Sequence, residues 1–152
     1  MTIETATLTY DEMGITVDLP TGWTIQADED GRALACVAED DWDDDGLAAS
    51  ITIERQAPLT DDDEVRELAA TSLHRMQANY AGFDLLHADQ QDTTVTRVYE
   101  FEPDGLGRRV RQVQGLVADV GLWVVHGTAP LPFADVLQPL FLDVIASLRR
   151  DG

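Results

Sequence analysis

The sequence contains no lysine, and its ten arginines face 29 acidic residues, so the 152-residue chain has a formal net charge of −19. A surface this acidic repels phosphate groups, which excludes unaided binding to DNA, RNA or an anionic membrane. The charge is uneven: residues 1–64 hold 18 acids and two arginines (−16), and residues 65–152 hold 11 acids and eight arginines (−3). A GC-rich coding bias or adaptation to high salt fits such a chain, and the nearly balanced second half favours the coding bias.

Cysteine and long apolar runs are also scarce. Cys36 is the only cysteine, so no disulfide forms within the chain, and the apolar run Ala33–Ala38 around it predicts a buried, inert thiol. No stretch approaches the ~18 apolar residues of a membrane span. Residues 1–10 have neither the positive charge nor the apolar centre of a secretory signal. These features predict a cytoplasmic protein.

Apolar periodicity divides the chain into short strands and two helices. Apolar and polar residues alternate between turn residues, which predicts strands over residues 5–10, 15–19, 24–27, 32–39, 48–57, 84–91, 94–102, 108–118 and 122–129.

Two segments repeat their apolar residues at helical spacing. The first spans residues 65–80 after a capping Thr60, and the second spans residues 133–148, with Pro139 either at a solvent-facing kink or restarting the helix. Strands, helix, strands, helix is an order typical of an α+β fold. We therefore expect an antiparallel β-sheet with two main helices packed on one face, in a single domain over residues 1–152.

The run Asp41–Gly46 resembles the start of a calcium-binding loop, because carboxylates stand at alternate positions before a glycine. The twelfth position of such a loop should be a bidentate glutamate, but it is Thr52 here, within a strand pattern. We therefore expect a solvated acidic loop and no metal site. Trp42, within this run, either packs back against the core or stands exposed as an anchor for a partner.

No residue pattern indicates catalysis or a cofactor. His74, His87 and His126 lie on different predicted elements, without the spacing of a zinc site. No serine lies in the Gly-x-Ser-x-Gly turn that presents a nucleophile. The glycine-rich turn at residues 105–107 leads into a strand, not into a helix N-terminus that would hold phosphate. The sequence thus predicts a protein that is not an enzyme and has no cofactor.

Four arginines of the second half fall on two neighbouring predicted strands and form a basic patch: Arg97, Arg108, Arg109 and Arg111. Pairing with Glu100 and Glu102 across the hairpin is the favoured interpretation. These arginines are then expected to stabilise the hairpin and not to bind a partner.

Several short segments resemble PsbP-like domains. Ile15–Trp23, an apolar strand running into Leu-Pro-Thr-Gly-Trp, is similar to the opening of these domains. Leu122–Pro130, the linker Thr128–Phe133 and the ending Ile145–Leu148 resemble the final strand, the Thr-x-x-Pro-x-x-Phe linker and the terminal helix, although the linker spacing is slightly longer here. The resemblance covers most of residues 5–149 and implies a PsbP-like α+β domain.

The resemblance implies a non-enzymatic adaptor. The superfamily shares its fold with the Ran-binding nuclear-import factor of yeast, with DcrB-type domains and with chaperones of type VI secretion effectors. We therefore expect a cytosolic, secretion-associated protein-binding or chaperone-like adaptor, whose partner is a protein or peptide with a basic or hydrophobic segment. The alternative is a small-molecule or lipid carrier that uses a pocket between sheet and helices.

If both helices cover one sheet face, the other face is left for a partner. Alternate residues of a strand share a side, so one side of each of two neighbouring strands supplies the candidate surface, together with the acidic loop. The predicted contact residues are Gln112, Gln114, Leu122, Val124, His126 and Trp42.

Overall fold

The computed structural model describes residues 3–28, 31–38, 48–56, 62–91, 94–103, 107–118 and 122–150. In these ranges the chain forms ten strands and two helices. The strands are β1 (Thr5–Tyr10), β2 (Ile15–Pro20), β3 (Thr24–Ala27), β4 (Ala33–Val37), β5 (Ser50–Arg55), β6 (Ala81–Gln91), β7 (Thr94–Glu102), β8 (Val110–Ala118), β9 (Leu122–Pro130) and β10 (Arg149–Arg150), and the helices are α1 (Asp62–Asn79) and α2 (Leu131–Ser147).

The strands form two antiparallel sheets. The large sheet has seven strands in the order β3-β4-β5-β9-β8-β7-β6, and the small sheet has the order β1-β2-β10. The tight turns between strands use glycine where the backbone is left-handed: Gly14 (φ 72°) lies between β1 and β2, and Gly31 (φ 68°) lies between β3 and β4. The antiparallel α+β class predicted from the sequence is confirmed.

Helix α2 lies very close to one face of the large sheet. A Cβ atom at Gly127 would overlap the ring of Phe141, and one at Gly115 would lie 2.7 Å from Cγ2 of Ile145. Any side chain at these two positions would therefore push the helix away. The residues that α2 buries are Ala134, Leu137, Leu140, Phe141, Val144 and Ile145.

Helix α1 packs on the opposite face of the same sheet. Arg97 pairs with Gln114, one position before Gly115, so its side chain points away from α2. Nη1 of Arg97 donates a hydrogen bond to the main-chain oxygen of Ala69 in α1, at 2.7 Å. The prediction that both helices pack on one face is therefore wrong.

The physical reason is that β8 has buried side chains on both sides. Val113 points toward α2 and is 1% exposed, while Leu116 points the other way and is 4% exposed. A sheet that buries side chains on both faces needs a cover on each of them. One helix therefore lies on each face.

The two helices are held very differently. Along residues 66–79 of α1, Met76 is the one side chain that is buried, and Leu68 is 42% exposed. The C-terminal end of α1 leads into an aromatic cluster, in which Tyr80 stacks on Phe101 with ring centres 4.4 Å apart. By contrast α2 is continuous through an exposed Pro139 and is part of the main core.

Cys36 is fully buried in that core, as the sequence predicts, and burial raises the pKa of its thiol to about 11. The thiol is therefore protonated and shielded at neutral pH. No helix in the described ranges combines the length and the apolar composition that crossing a membrane requires.

Because the two helices are buried to different extents, shortening a side chain to alanine should destabilise the protein more in α2 than in α1. Phe141→Ala removes a ring that is 2% exposed and opens a cavity, so it should lower the free energy of unfolding by about 3–5 kcal/mol. Leu73→Ala removes a half-buried side chain from α1 and should cost about 1 kcal/mol. Urea unfolding of the two variants measures both values, and equal losses would contradict this assignment of the core.

Candidate binding sites

The sheet face under α1 carries two rows of hydrogen-bonded polar side chains across β7, β8 and β9. In one row the Tyr99 hydroxyl donates to Oε1 of Gln112, whose Nε2 donates to Oγ1 of Thr128 at 2.9 Å. In the next row Arg97 lies beside Gln114, whose Nε2 lies 2.9 Å from Nε2 of His126. We call these six residues the polar ladder.

The ladder holds His126 in its neutral form. Burial, and then the positive charge of Arg97, lower the pKa of His126 from 6.5 to about 4. Nε2 of His126 lies within hydrogen-bond distance of the Gln114 side-chain amide, so the neutral ring keeps a polar partner in the ladder. A histidine with such a low pKa is a weak base at neutral pH, so its role in the fold is that of an uncharged hydrogen-bonding partner.

The residues predicted to contact a partner are only in part accessible. Gln114 is 5% exposed and Leu122 is 2% exposed, because α1 and its neighbours cover this part of the sheet. Gln112, Val124 and His126 are half-buried. The structure thus brings these five residues together on one face, but that face is not the open surface that the sequence predicted.

Trp42 and the acidic run around it lie outside the described residues. Within the described residues, no group of three or more His, Cys, Asp or Glu side chains is arranged to hold a metal ion.

The arginines predicted to form one patch lie on different faces of the sheet. Arg111 points toward α2, where its guanidinium contacts Glu100 at 2.9 Å and Asp135 at 2.6 Å. Nε of Arg109 is 3.9 Å from Glu100. These pairs confirm the pairing predicted with Glu100, whereas Arg97 belongs to the opposite face and is buried there.

A groove lies between the small sheet and the outer side of α2. It encloses about 480 Å³. Its lining residues are Ile3, Thr5, Asp18, Val136, Pro139, Leu140, Asp143 and Val144. We call it the β2–α2 groove.

The groove combines an apolar floor with an acidic rim. Val136 is 44% exposed at this groove, and the buried Leu140 and Val144 also line it. Asp18 accepts a hydrogen bond from the hydroxyl of Thr7 at 2.7 Å, and Arg149 lies 3.9 Å from its carboxylate. Asp143 on α2 is exposed. The groove can therefore take an apolar side chain next to a cationic one.

Sequence reasoning missed this groove. Val136 and Asp143 are seven residues apart, two turns of one helix, which puts them on the same side of α2. That spacing is visible in the sequence. The position of β2 beside this side of α2 is not, because it depends on how the small sheet packs.

No protein-family model matches the sequence, and no curated protein matches it. Solved structures do match over nearly the whole chain. PA94 of Pseudomonas aeruginosa, a protein of unknown function, is 15% identical with a TM-score of 0.66, and the match covers 98% of this chain and 99% of PA94.

Two further structures are similar. The cyanobacterial PsbP protein CyanoP from Synechocystis sp. PCC 6803 is 13% identical, with a TM-score of 0.62 and coverage of 99% of this chain and 94% of CyanoP. LpqN, involved in cell envelope biogenesis of Mycobacterium tuberculosis, is 14% identical, with a TM-score of 0.61 and coverage of 99% and 92%. These likenesses show that the chain has a PsbP-like fold, which confirms the resemblance seen in the sequence.

The low pKa of His126 predicts a pH-dependent stability. The folded-state pKa lies below the unfolded value of 6.5, so the unfolded chain binds the proton more readily. The contribution of His126 is complete above pH 6.5 and is lost as the pH falls toward 4. Lowering the pH from 7 to 4.5 should therefore reduce the free energy of unfolding by about 2 kcal/mol through His126. The variant His126→Gln should not show this part of the loss.

Urea unfolding at both pH values measures this difference, because carboxylate titrations common to the two proteins cancel. His74→Gln, at an exposed position on α1, is the matched control and should keep the wild-type pH dependence. The same loss in wild type and His126→Gln would show that the ladder does not hold this histidine neutral.

Proposed function

We propose that this protein is a non-enzymatic, cytosolic adaptor that binds a partner segment containing both apolar and basic residues. One observation carries the proposal: the β2–α2 groove has an apolar floor and two carboxylates at its rim, in a chain with a net charge of −19. The fold itself does not select this function, because one fold supports many unrelated functions.

The proposed contact uses two kinds of interaction. An apolar side chain of the partner covers Val136 and reaches toward Leu140, which removes exposed apolar surface from water. A neighbouring basic side chain lies between the carboxylates of Asp18 and Asp143. The acidic surface as a whole raises the rate of encounter with a basic partner, while the apolar contact slows dissociation.

The test uses three labelled peptides of equal length with blocked ends: alternating leucine and arginine, alternating leucine and glutamate, and alternating serine and arginine. Fluorescence anisotropy at physiological salt measures their affinity. The leucine–arginine peptide should bind, and the other two should bind at least about tenfold more weakly, because each lacks one of the two interactions. Equal binding of the serine–arginine peptide would reduce the interaction to unspecific charge attraction and contradict the proposal.

Two variants with matched controls locate the contact. Asp143→Arg should weaken binding of the leucine–arginine peptide by about tenfold, whereas Asp84→Arg, the same charge change on the exposed face of β6, should change it by less than about threefold. Val136→Asp should also weaken binding by about tenfold. Leu68→Asp on α1, at a side chain of similar exposure, should not. Equal effects of the groove variants and their controls would move the site elsewhere.

A further inference from the structure

Arg97 is a buried cation without a buried anion. Its side chain is 3% exposed, and it forms no ion pair with any carboxylate of the described residues. Burying a charge without an opposite charge is unfavourable, and buried arginines are normally paired. Burial accordingly lowers the pKa of Arg97, and the phenol of Tyr99 acts in the opposite direction.

The hydrogen bonds of Arg97 leave part of its binding capacity unused. Nη1 donates to the main-chain oxygen of Ala69 at 2.7 Å, and Nη2 donates to Oγ of Ser72 at 2.6 Å. Nε is buried and has no partner among the described residues. A guanidinium has five N–H donors, so the site keeps donors for an anion in addition to those that hold α1.

Arg97 also forms one wall of a hollow between α1 and the edge of the large sheet. The hollow encloses about 250 Å³. Its other walls are mostly small or apolar but also include one carboxylate, and the lining residues are Ala69, Ala70, Leu73, Ala88, Asp89, Gln90 and Val95. A mostly apolar lining with one buried cation in its wall matches a ligand with a short apolar tail and a single negative head group.

We infer that the hollow between α1 and β6–β7 binds a small apolar carboxylate, whose head group accepts hydrogen bonds from Arg97 and whose tail lies against Leu73 and Val95. This site lies on the sheet face opposite the β2–α2 groove and does not depend on the function proposed for that groove. Asp89, the one carboxylate of the lining, is exposed and is not paired with Arg97, so a bound carboxylate supplies a buried negative charge beside this arginine.

The test titrates octanoate into the full-length protein by calorimetry at physiological salt. Charges more than about 8 Å apart are largely screened under these conditions. The net charge of −19 therefore does not mask the attraction of octanoate to Arg97. One octanoate per chain should bind with a Kd below about 1 mM. Acetate lacks the tail, and octanol and octylammonium lack the negative head group, so each should bind at least about tenfold more weakly. Octanol binding as tightly as octanoate, or no saturable octanoate binding, would overturn the inference.

Variants test whether Arg97 binds the anion or only stabilises the fold. Arg97→Gln should weaken octanoate binding by at least about tenfold, while Arg75→Gln, at an exposed arginine of α1, should leave it unchanged. Ala70→Trp adds bulk at an exposed helix position that lines the hollow, and it keeps Arg97 and its bonds to α1. It should abolish octanoate binding without changing the unfolding temperature by more than a few degrees.

Ala70→Trp keeps the inference testable if Arg97→Gln fails to fold. Unchanged octanoate binding in either variant would overturn the inference. Val136→Asp, which alters the β2–α2 groove, should bind octanoate like the wild type, so failure at one site is distinguishable from failure at the other.

Discussion

The close approach of α2 to the large sheet is the contact on which the rest of the structure depends. It is possible because Gly115 and Gly127 present no side chain where Ile145 and Phe141 come down onto β8 and β9. The helix then fills the space between the large sheet and the small sheet, and its buried side chains join strands that are far apart in the sequence. The outer side of the same helix forms a wall of the β2–α2 groove, so core packing also positions Val136 and Asp143.

The opposite face of the large sheet is stabilised by polar contacts more than by apolar packing. Its centre is polar, and the side chains of Tyr99, Gln112 and Thr128 satisfy one another in a row between aromatic and apolar ends. Helix α1 contributes two acceptors to Arg97, whereas Nε of Arg97 and Oε1 of Gln114 are buried without a partner among the described residues. Helix α1 is thus held by two directional bonds and an aromatic cluster at its end more than by an apolar stripe.

Much of the fold could be predicted from the sequence, because turn residues and two-residue alternation are local signals. The predicted bounds of β1, β3 and β7 agree with the structure. The two-residue β10 has no periodic signal of its own. The side on which α1 packs depends on β8 having buried side chains on both faces, and a strand pattern does not tell which helix covers which face. The burial of Arg97 could have been predicted from the sequence. Arg97 alternates with Val95 and Tyr99 along β7, so it lies on a side of the strand that has no other charged residue, and this pattern is typical of a buried residue. The β2–α2 groove could not be predicted, since two separate elements form it.

The central claim is that α2 belongs to the folding core and α1 is a separately held cover over the polar sheet face. Native-state hydrogen exchange at increasing denaturant tests it most directly, because it reports an opening free energy for each amide. We expect amides of residues 137–145 to exchange only through global unfolding. Amides of residues 69–76 should exchange through a local opening that requires a free energy at least about 2 kcal/mol smaller. One shared opening free energy for both helices would contradict the account.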